Sequence, residues 1–149
     1  MKTLYLFIIA SVLSYGAFAQ VSDPEDLKKE HPYLRFEPEE VQLGTFNVNE
    51  ISDDLGEVDI KVHNDGAKPL ILNRVTACCG TRVKERPSKP IAPGENGIIK
   101  ISFRVAPRAQ RISRTVTVYS NAANGNMLRV RIKGEVVMSD ASEGEIDLR

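Results

Sequence analysis

Cys78 and Cys79 are the only cysteines in the 149-residue chain, and they are neighbours. A pair of thiols can close a bridge, attack an electrophile or hold a soft metal. Adjacency works against the first of these. Consecutive Cα atoms lie about 3.8 Å apart across a trans peptide, short of the roughly 4.4–6.8 Å that disulfides prefer. A vicinal bridge would be strained and readily reduced. Three readings stay open: a structural pair with one thiol buried and one exposed, a thiol that bonds a partner chain or a small redox molecule, and a copper(I) site, since thiolates select that ion. Two sulfurs with no Met or His close by in sequence do not make a four-ligand zinc site.

The other reactive residue types are scattered. His31 and His63 are isolated in the sequence. His63 reads as a solvated surface histidine, on the strand face opposite Val58, Ile60 and Val62 or beside a turn. No Ser/His/Asp or Cys/His/Asn arrangement appears at a spacing that signals nucleophilic catalysis. Glu39-Glu40 and Asp53-Asp54 read as solvated loop charges rather than a glycosidase pair. Gly44, Gly56 and Gly66 are isolated turn glycines, not a phosphate loop. Arg104, Arg108, Arg111 and Arg114, with Lys100, form the densest basic cluster, around the hairpin connection Ala106-Pro107-Arg108-Ala109-Gln110. The cluster reads either as a solvated loop or as a contact for an acidic partner or an anionic glycan. Catalytic residues and cofactors are expected to be absent.

Composition narrows the classes further. The chain carries 20 basic and 20 acidic residues, with no long basic run of the kind that tracks nucleic acid. Lys2 followed by the apolar run Leu4 to Leu13 and by Ala17-Phe18-Ala19 has the layout of a secretory signal peptide cut before Gln20. The apolar run is shorter than the roughly 20 residues needed to span a bilayer, and no later stretch is long enough. The expectation is an exported, soluble protein in the periplasm, the secreted fraction or the cell surface of a bacterium. In an oxidising compartment the cysteine pair becomes the sharpest chemical question.

The elements that must position these residues follow from periodicity. Gln20 to His31 is polar, with Asp23-Pro24 placed to start a helical turn at Glu25-Asp26-Leu27. Val58, Ile60 and Val62 alternate with charged residues, as do Ile99, Ile101, Phe103 and Val105. Thr115 to Tyr119 and Leu128 to Lys133 repeat the design. Alternation with period two means strands with one buried and one wet face, the habit of antiparallel sheets. Asp65-Gly66 and Asn124-Gly125 mark tight turns, and Pro93-Gly94 suits the centre of a type II turn. Seven strands are expected, near Leu34–Phe36, Val41–Phe46, Glu57–Asn64, Leu70–Ala77, Ile98–Val105, Ser113–Tyr119 and Leu128–Val137. Their spacing points to an antiparallel β-sandwich, packed on aliphatic side chains because the chain has no Trp.

The order of motifs carries a resemblance. It runs from Leu43-Gly44-Thr45-Phe46 to Val62-His63-Asn64-Asp65-Gly66 with Pro69-Leu70-Ile71-Leu72. It continues through Val75-Thr76-Ala77-Cys78-Cys79-Gly80-Thr81 and Pro90-Ile91-Ala92-Pro93-Gly94. Thr115-Val116-Thr117-Val118-Tyr119-Ser120-Asn121-Ala122 and Ile132-Lys133-Gly134-Glu135-Val136 complete it. Over roughly Phe36 to Val137 the chain resembles the bacterial family called domain of unknown function 1573, exported Ig-like domains related to the ASH/Hydin group, major sperm protein and pilus-chaperone sandwiches. The resemblance implies an Ig-like sandwich in a binding, adhesion or scaffold role. One motif departs from the family. Where the family commonly has Cys-Gly-Cys-Thr, this chain has Cys78-Cys79-Gly80-Thr81. Neighbouring strand residues point to opposite faces, so a role needing two thiols on one side is put in doubt.

The chain therefore divides into a signal peptide over 1–19, a linker or short helix over 20–32, an Ig-like domain over 33–138 and an acid-rich tail over 139–149. The expected function is non-enzymatic binding of a protein or cell-envelope component, with no nucleic-acid partner. The alternative is a periplasmic thiol or copper(I)-handling protein centred on Cys78 and Cys79.

Overall fold

The computed structural model describes residues 23–138 except residue 79. The leader over 1–19, the tail over 139–149 and Cys79 lie outside the described residues.

Pro24–Glu30 form helix α1. Proline occupies its first turn, where a missing N–H costs nothing, and Glu25–Lys28 and Lys29–Asp26 pair along its exposed surface. The strands that follow are β1 (Leu34–Glu37), β2 (Glu40–Asn47), β3 (Glu57–Asn64) and β4 (Leu72–Ala77). After them come β5 (Thr81–Glu85), β6 (Asn96–Phe103), β7 (Gln110–Ser120) and β8 (Met127–Val137). They make two four-stranded sheets, β1-β3-β6-β5 and β2-β8-β7-β4.

Period two decides the core. On β3, Val58, Ile60 and Val62 are buried while Glu57, Asp59 and Lys61 are exposed. Ile99, Ile101 and Phe103 of β6 face them from the same sheet. Val116 and Val118 of β7 and Val130, Ile132 and Val136 of β8 come from the other sheet. The apolar part of the interior is aliphatic apart from Phe36 and Phe103, and Asn64 and Ser120 are buried beside it. Each fully buried branched side chain contributes about 1.5–3 kcal/mol. Pro93-Gly94 forms the expected turn: Glu95 N–H donates to the Ala92 carbonyl at 3.0 Å, and Gly94 has φ 77°, as the third position of a type II turn requires.

The sandwich departs from the expected one in three respects. There are eight strands, not seven, the addition being β5. Only Thr81 and Val83 of β5 turn inward, and both are half-buried, so its alternation is too short to register as a strand. The pairing is not all antiparallel, because β2 runs parallel to β8. Alternation reports which face is buried and carries no information about strand direction. Finally, residues 104–109 are not a hairpin connection. They carry the chain from β6 in one sheet to β7 in the other.

Candidate functional site

The topology gives the sandwich two ends. At the first lie α1, the start of β1 and β8, and the ends of β3 and β7. This end is closed by asparagine amides. Asn64 is completely buried because it continues the inward phase of β3. Its Oδ1 accepts from Tyr33 N–H at 3.3 Å and Gly66 N–H at 3.1 Å. Its Nδ2 donates to the carbonyls of Lys68 at 2.8 Å and Ile91 at 2.9 Å. All four of its hydrogen-bonding positions are used, which is what a buried amide requires. Asn124 brackets Leu34, accepting from its N–H at 3.1 Å and donating to its carbonyl at 2.8 Å. Asn121 does the same for Ile71 N–H and the Pro69 carbonyl, at 2.8 and 3.2 Å. The Arg35 guanidinium grips Asp65 at 2.5 and 3.3 Å, and that hydrogen bond pushes its pKa above the ordinary arginine range.

His63 belongs to the adjoining sheet surface rather than to solvent. Its side chain is 16% exposed and pairs with Glu37 across β1 and β3. The solvated reading is thereby corrected: β1 covers the histidine. Glu40 is likewise not a free loop charge, since it opens β2 and meets Lys133 at 2.8 Å. Asp53 and Asp54 fall in a short 3₁₀ turn, residues 53–56.

The opposite end is open, and the cysteine motif and the arginine cluster both arrive there. The ends of β4, β6 and β8 meet the starts of β5 and β7. Cys78 is a half-buried free thiol just past β4. Its N–H donates to the Thr115 carbonyl at 3.0 Å, continuing the β4–β7 ladder. Its carbonyl, however, turns away to accept Thr81 N–H at 3.1 Å. Gly80, at φ 72°, supplies the left-handed backbone that this corner demands. The orphaned Thr115 N–H is taken instead by the Cys78 sulfur at 3.2 Å. The thiol thus stands in for a carbonyl where the chain changes sheets. No group of three or more His, Cys, Asp or Glu side chains suited to a metal occurs among the described residues.

The four arginines do not form one patch. Arg104 and Arg108 are exposed on the crossover between β6 and β7. Arg108 N–H closes on the Ala106 carbonyl at 2.8 Å, and Gln110 Nε2 reaches the same oxygen at 2.7 Å. This i, i+2 bond around Pro107 makes the crossover tight. Arg111 is exposed beside Glu135, at 3.8 Å. Arg114 is on the inward phase of β7, with Ile112, Val116 and Val118, and its guanidinium carbon lies 5.6 Å from the centre of the Phe103 ring. It is a half-buried cation at the mouth of the core, not a loop charge. Lys100 faces Glu85, at 3.3 Å, on the outer surface of the other sheet.

Between the Gly80 corner and the crossover lies an open groove of about 920 Å³. Its walls include Ile51, Phe103 and Val105 on the apolar side, and Arg82 and Arg104 on the cationic side. The Thr81 hydroxyl at its edge is buried and has no hydrogen-bond partner among the described residues. A second groove, of about 630 Å³, follows the β5–β6 connection. Two of its basic groups are engaged locally: Arg86 donates to the Leu72 carbonyl at 2.9 Å, and Lys100 pairs with Glu85. The sequence singles out Arg104 and Cys78, but not Arg82, Ile51 or Phe103 as their neighbours. No short-range signal brings those together; the crossover does.

Among the described residues no helix is long and apolar enough to cross a membrane. Residues 34–136 match the family model described as Protein of unknown function (DUF1573). No curated protein matches the chain. The chain is similar in fold to a solved protein of unknown function from Porphyromonas gingivalis W83, with TM-score 0.56 and 16% identity. That likeness covers 80% of this chain and 51% of the other, so the chain spans about half its length. It is also similar to the ASH / PapD-like domain of human CEP192 (PapD-like domain 7), with TM-score 0.52 and 11% identity, covering 81% and 93% of the two chains. At such identities the likeness concerns the fold alone.

Proposed function

We propose, for a chain that belongs to the DUF1573 family, a non-enzymatic role as an exported Ig-like module that binds a protein of the cell envelope through its open end. The convergence of a part-apolar groove with exposed arginines carries this reading. Ile51, Phe103 and Val105 offer an apolar floor, and Arg82 and Arg104 flank it. Arg108 extends the positive charge along the crossover. An acidic segment bearing an apolar side chain complements both features. Apolar contact at the centre supplies affinity, while the arginines steer the approach and fix orientation. The tight turn at Pro107 holds the crossover in shape before binding, which lowers the ordering cost of association.

Among the described residues, which do not include Cys79, nothing favours the thiol or copper(I) alternative. The Cys78 sulfur is engaged as a backbone acceptor, which supports the structural reading of that residue. The test is charge reversal. Tagged mature protein and an Arg104→Glu/Arg108→Glu variant are each used to isolate partners from the native envelope fraction. A partner retained by the wild type and lost by at least tenfold in the variant supports the reading. Equal recovery by both proteins contradicts it.

A further inference from the structure

The two sheets have outer faces of different electrostatic character. On the β1-β3-β6-β5 face opposite charges meet: Lys84 with Glu57, Lys100 with Glu85, and Arg35 with Glu37. The β2-β8-β7-β4 face is built otherwise. The residues that β8 turns outward are Met127, Arg129, Arg131, Lys133 and Glu135, the inward ones being the buried Val130, Ile132 and Val136. β7 turns out Ser113, Thr115, Thr117 and Tyr119, and β4 turns out Arg74 and Thr76. The registers Thr117↔Arg129, Thr115↔Arg131 and Ser113↔Lys133 set hydroxyls directly beside cations. On the other flank Arg74 is opposite Tyr119 and Thr76 is opposite Thr117.

Three of these cations are left over. Lys133 is engaged by Glu40 and Arg111 by Glu135; Arg131 stands opposite Glu40 in the β2–β8 register, but among the described residues no acidic side chain makes an ion pair with Arg74, Arg129 or Arg131. Arg129 and Arg131 are i, i+2 on one strand, about 6.6–6.8 Å apart along it. Arg74 is two strands away, across about 9.5 Å. The register sets Thr115 and Thr117 in a shallow trough-like row between Arg131 and Arg129 on one side and Thr76 on the other, with Arg74 one row further along beside Tyr119.

We propose that this trough binds an anionic polysaccharide lying along β7. Between Thr115 and Ser120 β7 is flanked by β8 on one side and by β4 and Cys78 on the other, so there a ligand on this face is recognised through side chains. Those side chains offer charge and hydrogen bonds but almost no apolar anchor, Met127 being the exposed hydrophobic at one end. Protein partners draw their affinity from buried aromatic and aliphatic anchors, which this face lacks. Single-stranded nucleic acid needs open aromatic platforms for its bases, and the Tyr119 ring is overlaid by Arg74 at 5.9 Å. A carboxylate-bearing sugar chain needs neither. Its carboxylates suit the fork geometry of arginine, and its hydroxyls suit threonine. The inference is independent of the open-end reading, because it uses a different surface.

Affinity electrophoresis of the mature protein in gels containing polygalacturonate, with uncharged dextran as control, tests it. The wild type is retarded by polygalacturonate and not by dextran, and the retardation weakens as salt screens the charges. Arg129→Glu/Arg131→Glu lowers the apparent affinity at least tenfold with an unchanged melting temperature, while Arg104→Glu/Arg108→Glu leaves it intact. Should the double reversal fail to fold, Arg129→Gln/Arg131→Gln gives the same direction with a smaller loss. Unaltered retardation in a folded Arg129/Arg131 variant overturns the proposal. So does equal loss on reversing Arg104 and Arg108, or an oligo(dT) strand binding as tightly as polygalacturonate.

Discussion

The two ends of this sandwich solve the same problem in opposite ways. Where strands stop, backbone donors and acceptors lose their ladder partners and need others. At the α1 end, Asn64, Asn121 and Asn124 supply them, each amide acting as a miniature strand against a neighbouring segment. That end is saturated, and Gly66 sits so close to the backbone of His31, Pro32 and Tyr33 that no side chain fits there. At the other end a thiol substitutes for one carbonyl, a half-buried arginine rests on a phenylalanine, and a groove stays open. A saturated end buys rigidity; an open one leaves groups available to a partner.

The comparison is broken most sharply at Asn64. Replacing it with Leu removes four hydrogen bonds and strands the Tyr33 and Gly66 N–H groups and the Lys68 carbonyl, while the Ile91 carbonyl keeps only its bond from Leu70 N–H. Each such loss costs about 1–3 kcal/mol, with partial relief by rearrangement, so a net destabilisation of about 3 kcal/mol is expected. Thermal unfolding of Asn64→Leu then shows a midpoint roughly 10 °C below the wild type. A shift under 2 °C, against that roughly 10 °C scale, would mean the closed end is held by something other than the amide.

Cys78 sharpens the contrast at a smaller scale. Cys78→Ala leaves Thr115 N–H without its acceptor, at a cost of about 1 kcal/mol. Cys78→Ser restores an acceptor and recovers most of that loss. Urea unfolding of the pair distinguishes the outcomes: equal midpoints for Ala and Ser would show that the sulfur's hydrogen bond contributes nothing. If the residue served thiol or copper(I) chemistry instead, copper(I) titration would separate both variants from the wild type.

The smallest stability effect belongs to the crossover. Arg104→Glu and Arg108→Glu alter exposed side chains away from the core and should shift stability within about 0.5 kcal/mol. Differential scanning calorimetry checks this. A larger change would mean that the two arginines brace the fold, and the open end would lose its claim to be a binding surface.

Much of this was legible before the structure. Period two on β3, β6, β7 and β8 named the inward residues, and Pro93-Gly94 named its turn. The same alternation carries two further signals. Asn64 falls on the inward phase with Val58, Ile60 and Val62, and a polar residue in that phase must find partners. Arg114 falls on the inward phase with Ile112 and Val116, so it could be placed at the core rather than on a loop. Other features were out of reach. Alternation cannot say that β2 runs parallel to β8, and a strand as short and charged as β5 has too few apolar positions to show a period. Nor could spacing along the chain join Ile51 to Phe103 and Arg104, because only the change of sheet between β6 and β7 brings them together. Resemblance to the family supplied the motif around Asn64 and Asn121. The structure gives those motifs a physical meaning, as the closures of one end.

Site-directed photo-crosslinking in the native envelope puts the open-end reading to its most direct test. A photoreactive residue in place of Arg108 should yield a discrete crosslinked species, and reversing the charge of Arg104 in the same chain should abolish it. The same probe in place of Asp59, exposed on the outer face of β3, should yield none. The same crosslinked species from both positions, or one that persists after Arg104→Glu, would contradict binding at the open end.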